Sequence, residues 1–142
     1  MRRKIFWWTL TLIWCIVIFF QSAKPATLSS ADSDSITQLI NNIIAFFFGK
    51  GNFILDDFIV RKVAHFLEYA ILGLLLFNSI KKPDELPKSM VISIALAVLY
   101  AISDEFHQYF VPGRAAKILD VGIDSLGILA GTTASFIKAR KR

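Results

Sequence analysis

Apolar residues in this chain are gathered into four long runs that are separated by shorter polar segments. Each run is about as long as a helix that crosses a bilayer, which takes about 20 residues. The pattern therefore predicts an all-α fold, an integral membrane bundle of four transmembrane helices in one domain covering residues 1–142. The predicted spans cover residues about 4–21, 63–80, 89–110 and 116–137.

A shorter segment with a different pattern lies between the first two runs. Pro25 is expected to end the first helix, and residues 26–35 are rich in Ser, Thr and Asp, which is typical of a loop. Apolar residues then recur at helical spacing over residues about 35–48. Because this stretch is too short and too polar on one side to cross a bilayer, we expect an outer amphipathic helix that lies in the membrane interface or packs on the bundle. Residues 52–62 are expected to form a polar joint.

The composition agrees with a membrane protein. The chain is 55% hydrophobic, and its mean hydropathy is +0.56. Its net charge of +5 comes from Lys and Arg residues that flank the apolar runs, where they orient helices in a bilayer. We therefore expect no nucleic-acid partner. The single cysteine, Cys15, rules out an internal disulfide.

Basic residues are divided unequally between the two sides of the predicted bundle. Four spans place both termini on one side, together with the charged loop at residues 81–88. That side carries ten Lys and Arg residues, and the other side carries six over longer loops. The positive-inside rule then predicts a multi-pass protein of the cell membrane with both termini in the cytoplasm.

The polar residues that remain within or beside the apolar runs gather at one depth. On the predicted topology they lie toward the outer ends of the second, third and fourth spans and in the turn between the last two. A charge near a helix centre costs about 2.5–3.5 kcal/mol on insertion scales and less toward the interface. A converging set can pair, share water and bind, so we expect one cluster. The candidate catalytic residues are His65, Glu68, Asp104, Glu105 and Asp120, and the candidate ligand-binding residues are Lys62, Gln108 and Arg114.

The residue types in this cluster suit acid/base chemistry and anion binding. Carboxylates beside a histidine supply acid and base groups, and two cationic side chains can hold a phosphate or another anion. We take His65 as the preferred acid/base group, and Arg114 with Lys62 as the preferred anion-binding groups. His-x-x-Glu on a helix, together with several aspartates, also suits a divalent ion, but no spacing here is diagnostic. No metal ligand and no cofactor is therefore assigned.

The fourth run carries a helical stripe of acidic and small residues. Asp120, Asp124, Gly127 and Gly131 follow one another at spacings of four, three and four. Glycines four apart allow a neighbouring helix to approach closely. The stripe that packs the helix therefore also directs two carboxylates into the bundle.

Two further hypotheses compete with a binding or active site. In the first, the acids only pair with the bases and histidines, which fixes the helices that meet. In the second, the charges form an ion or proton path through the membrane. The path is disfavoured because the inner halves of the spans are apolar and offer no polar relay to the cytoplasm.

Three blocks of the sequence resemble the VanZ-like membrane proteins. Residues 62–73, KVAHFLEYAILG, are similar to the family signature K-x-x-H-F-x-E-Y-x-x-L-G. Residues 104–108, DEFHQ, followed by 112–114, PGR, resemble the D-E-x-x-Q and P-x-R block. Asp120 with Gly127 resembles the block D-x-x-x-N-x-x-G. The resemblance extends over nearly the whole chain.

The resemblance implies a bacterial cell-membrane protein of four spans. The named member of the family is associated with low-level resistance to the lipoglycopeptide antibiotic teicoplanin. The family commonly has Asn where this chain has Asp124, so Asp124 is not counted among the candidate site residues.

We therefore expect a VanZ-like cell-envelope protein with a polar site at the outer membrane face. Its expected partner is a membrane lipid or a lipid-linked envelope ligand, including one connected with glycopeptide resistance, which the site binds or acts on. The alternative is a non-catalytic structural or interaction protein whose charged cluster only holds the helices together. The sequence assigns neither a reaction nor an oligomeric state.

Overall fold

The structure is a computed structural model that describes residues 2–49 and 55–141. Within these ranges the chain forms five α-helices and no strand, which confirms the all-α prediction. The helices are α1 (Arg2–Ser22), α2 (Ala26–Phe48), α3 (Asp57–Ile80), α4 (Leu86–Gln108) and α5 (Ile118–Arg140). A 3₁₀ turn at Pro83–Glu85 leads directly into α4.

Three of the helical stretches are long and apolar enough to cross a membrane. They are Arg2–Ser22, Asp57–Ile80 and Pro83–Gln108, and they correspond to the first three predicted spans. In α5, two acidic residues in the first half and two basic residues in the last turn interrupt the apolar sequence. A fourth transmembrane helix therefore stays a prediction.

The second helix begins earlier than its apolar pattern predicts. The loop predicted over residues 26–35 is wrong, because α2 already starts at Ala26, directly after Pro25. Pro25 is the N-cap, and its carbonyl accepts hydrogen bonds from the backbone N–H groups of Leu28 and Ser29 at 3.1 and 3.0 Å. Two serines of the segment satisfy their hydroxyls within the helix: the Ser33 Oγ donates to the Ser29 carbonyl at 3.0 Å, and the Ser35 Oγ donates to the Ala31 carbonyl at 2.9 Å.

The third helix also begins before the apolar run from which it was predicted. Asp56 caps α3, and its carboxylate accepts a hydrogen bond from the Phe58 backbone N–H. Residues 57–62 of the predicted polar joint are therefore helical, whereas residues 52–54 of that joint lie outside the described residues.

α3 is the central helix of the bundle and contacts each of the other four. Apolar side chains of α1, α3, α4 and α5 form the core around it. The buried members are Ile18, Tyr69, Leu72, Leu76, Ala97, Ala101 and Ile128.

α3 and α5 pack with their backbones in contact. A Cβ atom added at Gly131 would overlap the carbonyl of Ala70, and one added at Gly127 would overlap the carbonyl of Phe66. A Cβ at Gly73, on α3, would lie 2.6 Å from the Ile128 carbonyl oxygen. The close approach predicted from the glycine spacing is therefore confirmed.

α2 lies across the first turns of α3. The Asn41 side chain exchanges two hydrogen bonds with the backbone of Leu55, at 2.8 and 3.1 Å. Eleven residues earlier in α2, the Ser30 Oγ accepts a hydrogen bond from Arg61 at 3.4 Å. Both contacts involve the start of α3, so α2 covers this end of the bundle.

Candidate functional site

A cavity of about 400 Å³ lies between α1, α2, α3 and α4, at the end of the bundle where α1 and α4 end and α3 begins. Its wall combines apolar side chains with ionisable ones. The apolar part includes Trp14, Val17, Ile18, Ile36, Val60, Leu67 and Ile71. The ionisable part comprises Lys24, Asp32, Arg61, His65, Glu68, Asp104 and Arg114.

The cavity gathers five of the eight predicted site residues. They are His65, Glu68, Asp104, Gln108 and Arg114. The other three, Lys62, Glu105 and Asp120, do not line the cavity and instead connect α3 and α4 to α5 or to the residues just before it.

Lys62 and Asp120 form an ion pair that joins α3 to α5. Both side chains are mostly buried, with 17% and 14% of their surface exposed. The Lys62 ammonium also lies 5.2 Å from the centre of the Phe58 ring, within the range of a cation–π contact. The ammonium predicted to hold an external anion therefore already has an acidic partner.

Glu105 joins the end of α4 to the start of α5. Its side chain is buried, and one carboxylate oxygen accepts a hydrogen bond from the Lys117 backbone N–H at 2.8 Å. Lys117 is the N-cap of α5 and provides no side-chain cap of its own. Backbone donors at a helix start lack partners within the helix, so Glu105 satisfies one of them from a neighbouring helix.

Arg114 fastens the turn between α4 and α5 to the end of α1. Its Nε donates to the Lys24 carbonyl at 2.9 Å, and one terminal nitrogen donates to the Gln21 carbonyl at 3.2 Å. The other terminal nitrogen donates to the Gln108 side-chain oxygen at 3.1 Å. Gln108 in turn donates to the Asp104 carboxylate at 3.1 Å. A hydrogen-bonded chain therefore runs along one wall of the cavity.

The charge of Arg114 persists in this setting. Burial lowers the pKa of its guanidinium, and the charge of Arg61 acts in the same direction, whereas the Asp104 carboxylate opposes it. Because an arginine guanidinium keeps its proton in proteins, the group stabilises the carboxylates around it.

His65 lies between the cavity and a buried carboxylate. Its Nδ1 is 3.4 Å from an Asp124 oxygen, which is within ion-pair range but lacks hydrogen-bond alignment. Asp124 is fully buried, and neither of its oxygens has a hydrogen-bond partner among the described residues. The Asp124 carboxylate is therefore close enough to His65 for an electrostatic interaction but does not form a hydrogen bond with it.

Asp124 thus belongs to the site although it was not among the predicted site residues. Its helical spacing from Asp120 was the available signal, and the Asn found at this position in the family outweighed it. The carboxylate lies directly behind His65.

Arg61 is a cavity residue that the sequence reasoning missed. One terminal nitrogen pairs with Asp57 at 2.6 Å, but its buried Nε has no hydrogen-bond partner among the described residues. The Ser22 hydroxyl, also on the cavity wall, is buried and equally without a partner. The usable signal was the spacing of Arg61, His65 and Glu68, which places all three on one face of α3.

The arrangement offers an imidazole, the three carboxylates of Asp32, Glu68 and Asp104, and unsatisfied donors beside an apolar wall. No group of three or more His, Cys, Asp or Glu side chains within residues 2–49 and 55–141 is arranged to hold a metal ion.

Comparison with known proteins adds one match. The family model described as VanZ/LLP1 matches residues 7–138, which include every residue that lines the cavity. No curated protein and no solved structure matches the sequence significantly. The family match and the three apolar helices together indicate a membrane protein. The chain belongs to the VanZ/LLP1 family.

Proposed function

We propose that the cavity binds the polar head of a lipid or lipid-linked envelope ligand at the outer face of the cell membrane. One observation carries the proposal, namely that charged groups and apolar side chains share a single cavity. Arg61 and Glu68 supply the charged part, and Val17, Leu67 and Ile71 supply the apolar part. Such a wall matches an amphiphile, whose charged head and hydrocarbon chain need different surroundings.

The proposal includes α5 as a fourth span, with both termini in the cytoplasm. Its 23 residues are about 34 Å long, enough for a hydrocarbon core of about 30 Å. Its two acids have partners on α3, Asp120 in Lys62 and Asp124 in His65, and therefore do not face lipid unpaired. The distribution of basic residues supports the orientation.

In this proposal α2 is an interfacial helix that forms the roof of the cavity. Its polar residues Asp32 and Ser33 line the cavity. Leu39, Ile43 and Phe46 recur at helical spacing on the side away from the cavity and are each at least half exposed. Such a face fits the boundary between headgroups and acyl chains.

The chemistry proposed for the site centres on His65. With Asp124 beside Nδ1, the Nε2 atom can accept a proton from a ligand hydroxyl or return one to a leaving group. The Arg61 guanidinium, which lines the cavity and is partly exposed, is the donor for an anionic group of the ligand. Teicoplanin, a lipid-linked glycopeptide, has the required amphiphilic character, and a role in resistance to it is part of this proposal.

The first test is retention of lipid by the purified protein. Native mass spectrometry of the wild type should show a bound lipid, and Arg61→Gln should reduce its retention about tenfold or more, since a hydrogen bond to a charged group contributes about 1.5–3 kcal/mol. Lys117→Gln is the matched control, because it removes a positive charge from an exposed side chain at the same end of the bundle but outside the cavity. Equal retention in all three proteins would contradict the proposal.

The second readout is resistance in cells. His65→Ala should reduce teicoplanin resistance to the level of cells without the protein, and resistance is compared at matched amounts of folded protein in the membrane, because the variant leaves the buried Asp124 carboxylate without its partner. Unchanged resistance of the His65→Ala cells would remove His65 from the proposed chemistry.

The structural alternative also has an observation in its favour. The ion pair of Lys62 and the hydrogen bonds of Arg114 lie wholly within the protein and join different helices. If each cavity variant instead depletes folded protein from the membrane, the cluster serves assembly and the binding proposal fails.

A further inference from the structure

The opposite end of the bundle contains a second, strongly basic cavity. It has a volume of about 580 Å³ and lies among the start of α1, the end of α3, the turn before α4 and the end of α5. A neighbouring cavity of about 370 Å³ shares part of this wall and adds Lys138. The basic residues of the two cavities are Arg3, Lys4, Lys81, Lys138 and Arg140.

No acidic residue within residues 2–49 and 55–141 lines either cavity. In the part of the chain that the structure describes, Arg3, Lys4, Lys138 and Arg140 form no ion pair. The nearby Glu85 is directed to two bases outside the cavities, Lys82 at 3.6 Å and Lys88 at 3.9 Å.

The concentrated positive charge therefore favours the binding of an anion. The Lys81 ammonium donates a hydrogen bond to the side-chain oxygen of Asn78 at 2.6 Å, which holds Lys81 at the wall. Arg3, Lys4 and Arg140 line the first cavity and Lys138 lines the second, and among the described residues none of them pairs with a carboxylate. Like charges gathered in this way repel one another, so a bound anion stabilises the arrangement.

The surroundings of the cavity favour a lipid over a free anion. The indole of Trp7 and the side chain of Leu86 form part of its wall. Next to them on α1, Ile5 and Phe6 are 58% and 56% exposed, on a helix that is apolar enough to cross a membrane. Tryptophan is enriched at the level of lipid headgroups, so hydrocarbon lies directly beside the basic groups.

We propose that this cavity binds the phosphate of an acidic phospholipid, with the acyl chains lying along the exposed apolar face of α1. Arg3 and Arg140 reach the phosphate oxygens from two helices, and the lipid thereby joins the first and last helices of the chain. The site is independent of the cavity at the other end, and one can fail while the other stands.

The experiment compares two lipids, and it compares basic residues that line the cavity with one that lies outside it. The purified protein is equilibrated with phosphatidylglycerol and phosphatidylcholine in equal amounts, and native mass spectrometry counts the retained lipids. The wild type should prefer phosphatidylglycerol. Arg3→Gln and Arg140→Gln should each reduce that preference about tenfold or more, which corresponds to a lost hydrogen bond to a charged group.

Lys141→Gln is the matched control. It removes a positive charge one residue beyond Arg140, from a side chain outside both cavities. General attraction to an acidic surface contributes at most about fivefold per base, so the control should change the preference less than the two arginine variants do. Equal losses of the lipid preference in all three variants would overturn the proposed binding site, because general attraction to the basic surface would then explain the preference.

A measurement on the wild type covers the case in which the variants fail to fold. Phosphatidylglycerol with a photoreactive group near its head should label peptides that contain Trp7 or Leu86, and labelling spread over the whole chain would overturn the site. Inorganic phosphate added in phosphatidylcholine should not reproduce the thermal stabilisation given by phosphatidylglycerol. If it does, the occupant is a free anion and the lipid assignment is wrong.

Discussion

The two faces of α3 differ in how closely they pack against their neighbours. Toward α5, glycines bring the backbones together, and the Gly131 position has no space for even a methyl group. Toward α1 and α2, the helix borders a cavity of about 400 Å³, and polar groups such as the Arg61 Nε lack partners in the described protein. The first face assembles the bundle, and the second is the one proposed to bind. His65 touches both, because it lines the cavity and its Nδ1 lies 3.4 Å from an Asp124 oxygen on α5.

The largest expected effect breaks the tight face. Gly131→Ala places a methyl group on the Ala70 carbonyl, so α3 and α5 must separate and the free energy of unfolding should fall by about 3 kcal/mol or more. Gly122→Ala, on the same helix with open space around it, should be neutral or stabilise by up to about 1 kcal/mol. Denaturant titration in detergent measures both, and similar stabilities for the two variants would contradict the close packing.

A smaller effect is expected from the ion pair on the same face. Lys62→Met leaves the Asp120 carboxylate mostly buried without its cation and should cost about 2 kcal/mol, less than for a fully buried pair because both groups retain some exposure. Adding Asp120→Leu should recover most of the loss, since two apolar side chains pack where the pair was. The same denaturant titration applies to both variants. If the double variant is less stable than Lys62→Met alone, the two side chains stabilise the fold by more than the neutralisation of each other's charge.

The smallest effect on stability is expected on the cavity face. Glu68→Gln keeps the size of the side chain, and the hydrogen bond from the Trp14 indole to the Glu68 backbone carbonyl, 2.9 Å long, is untouched. The free energy of unfolding should change by less than about 1 kcal/mol, which is usual for substitutions that open no cavity, while lipid retention and teicoplanin resistance fall. A change that lowers stability as much as Lys62→Met would remove the distinction between the two faces.

The helices themselves could be predicted largely from the sequence, because lipid-facing helices need long apolar runs. Where α2 begins could not be predicted in this way. Residues 26–35 are polar, and their hydroxyls are as easily satisfied inside a helix as in a loop, so only the structure distinguishes the two.

The partners within the cluster were harder to predict than its members. Lys62 and Asp120 are 58 residues apart, and the sequence does not reveal that they neutralise each other. It also does not reveal that the donors of Arg114 are directed to backbone carbonyls of α1, because backbone groups leave no trace in a residue pattern. Arg61 was predictable from its helical spacing with His65 and Glu68. Asp124 was left out of the candidate site only because the family that the sequence resembles commonly has Asn at that position.

The reach of Arg114 has a consequence for biosynthesis. Its guanidinium satisfies the carbonyls of Gln21 and Lys24, which precede it by 93 and 90 residues. At synthesis rates of about 5–20 residues per second, the end of the first helix waits roughly 5–18 s for this partner. During that interval α1 can already contact α3, whereas the fastening by Arg114 forms only after the turn before α5 has been synthesised.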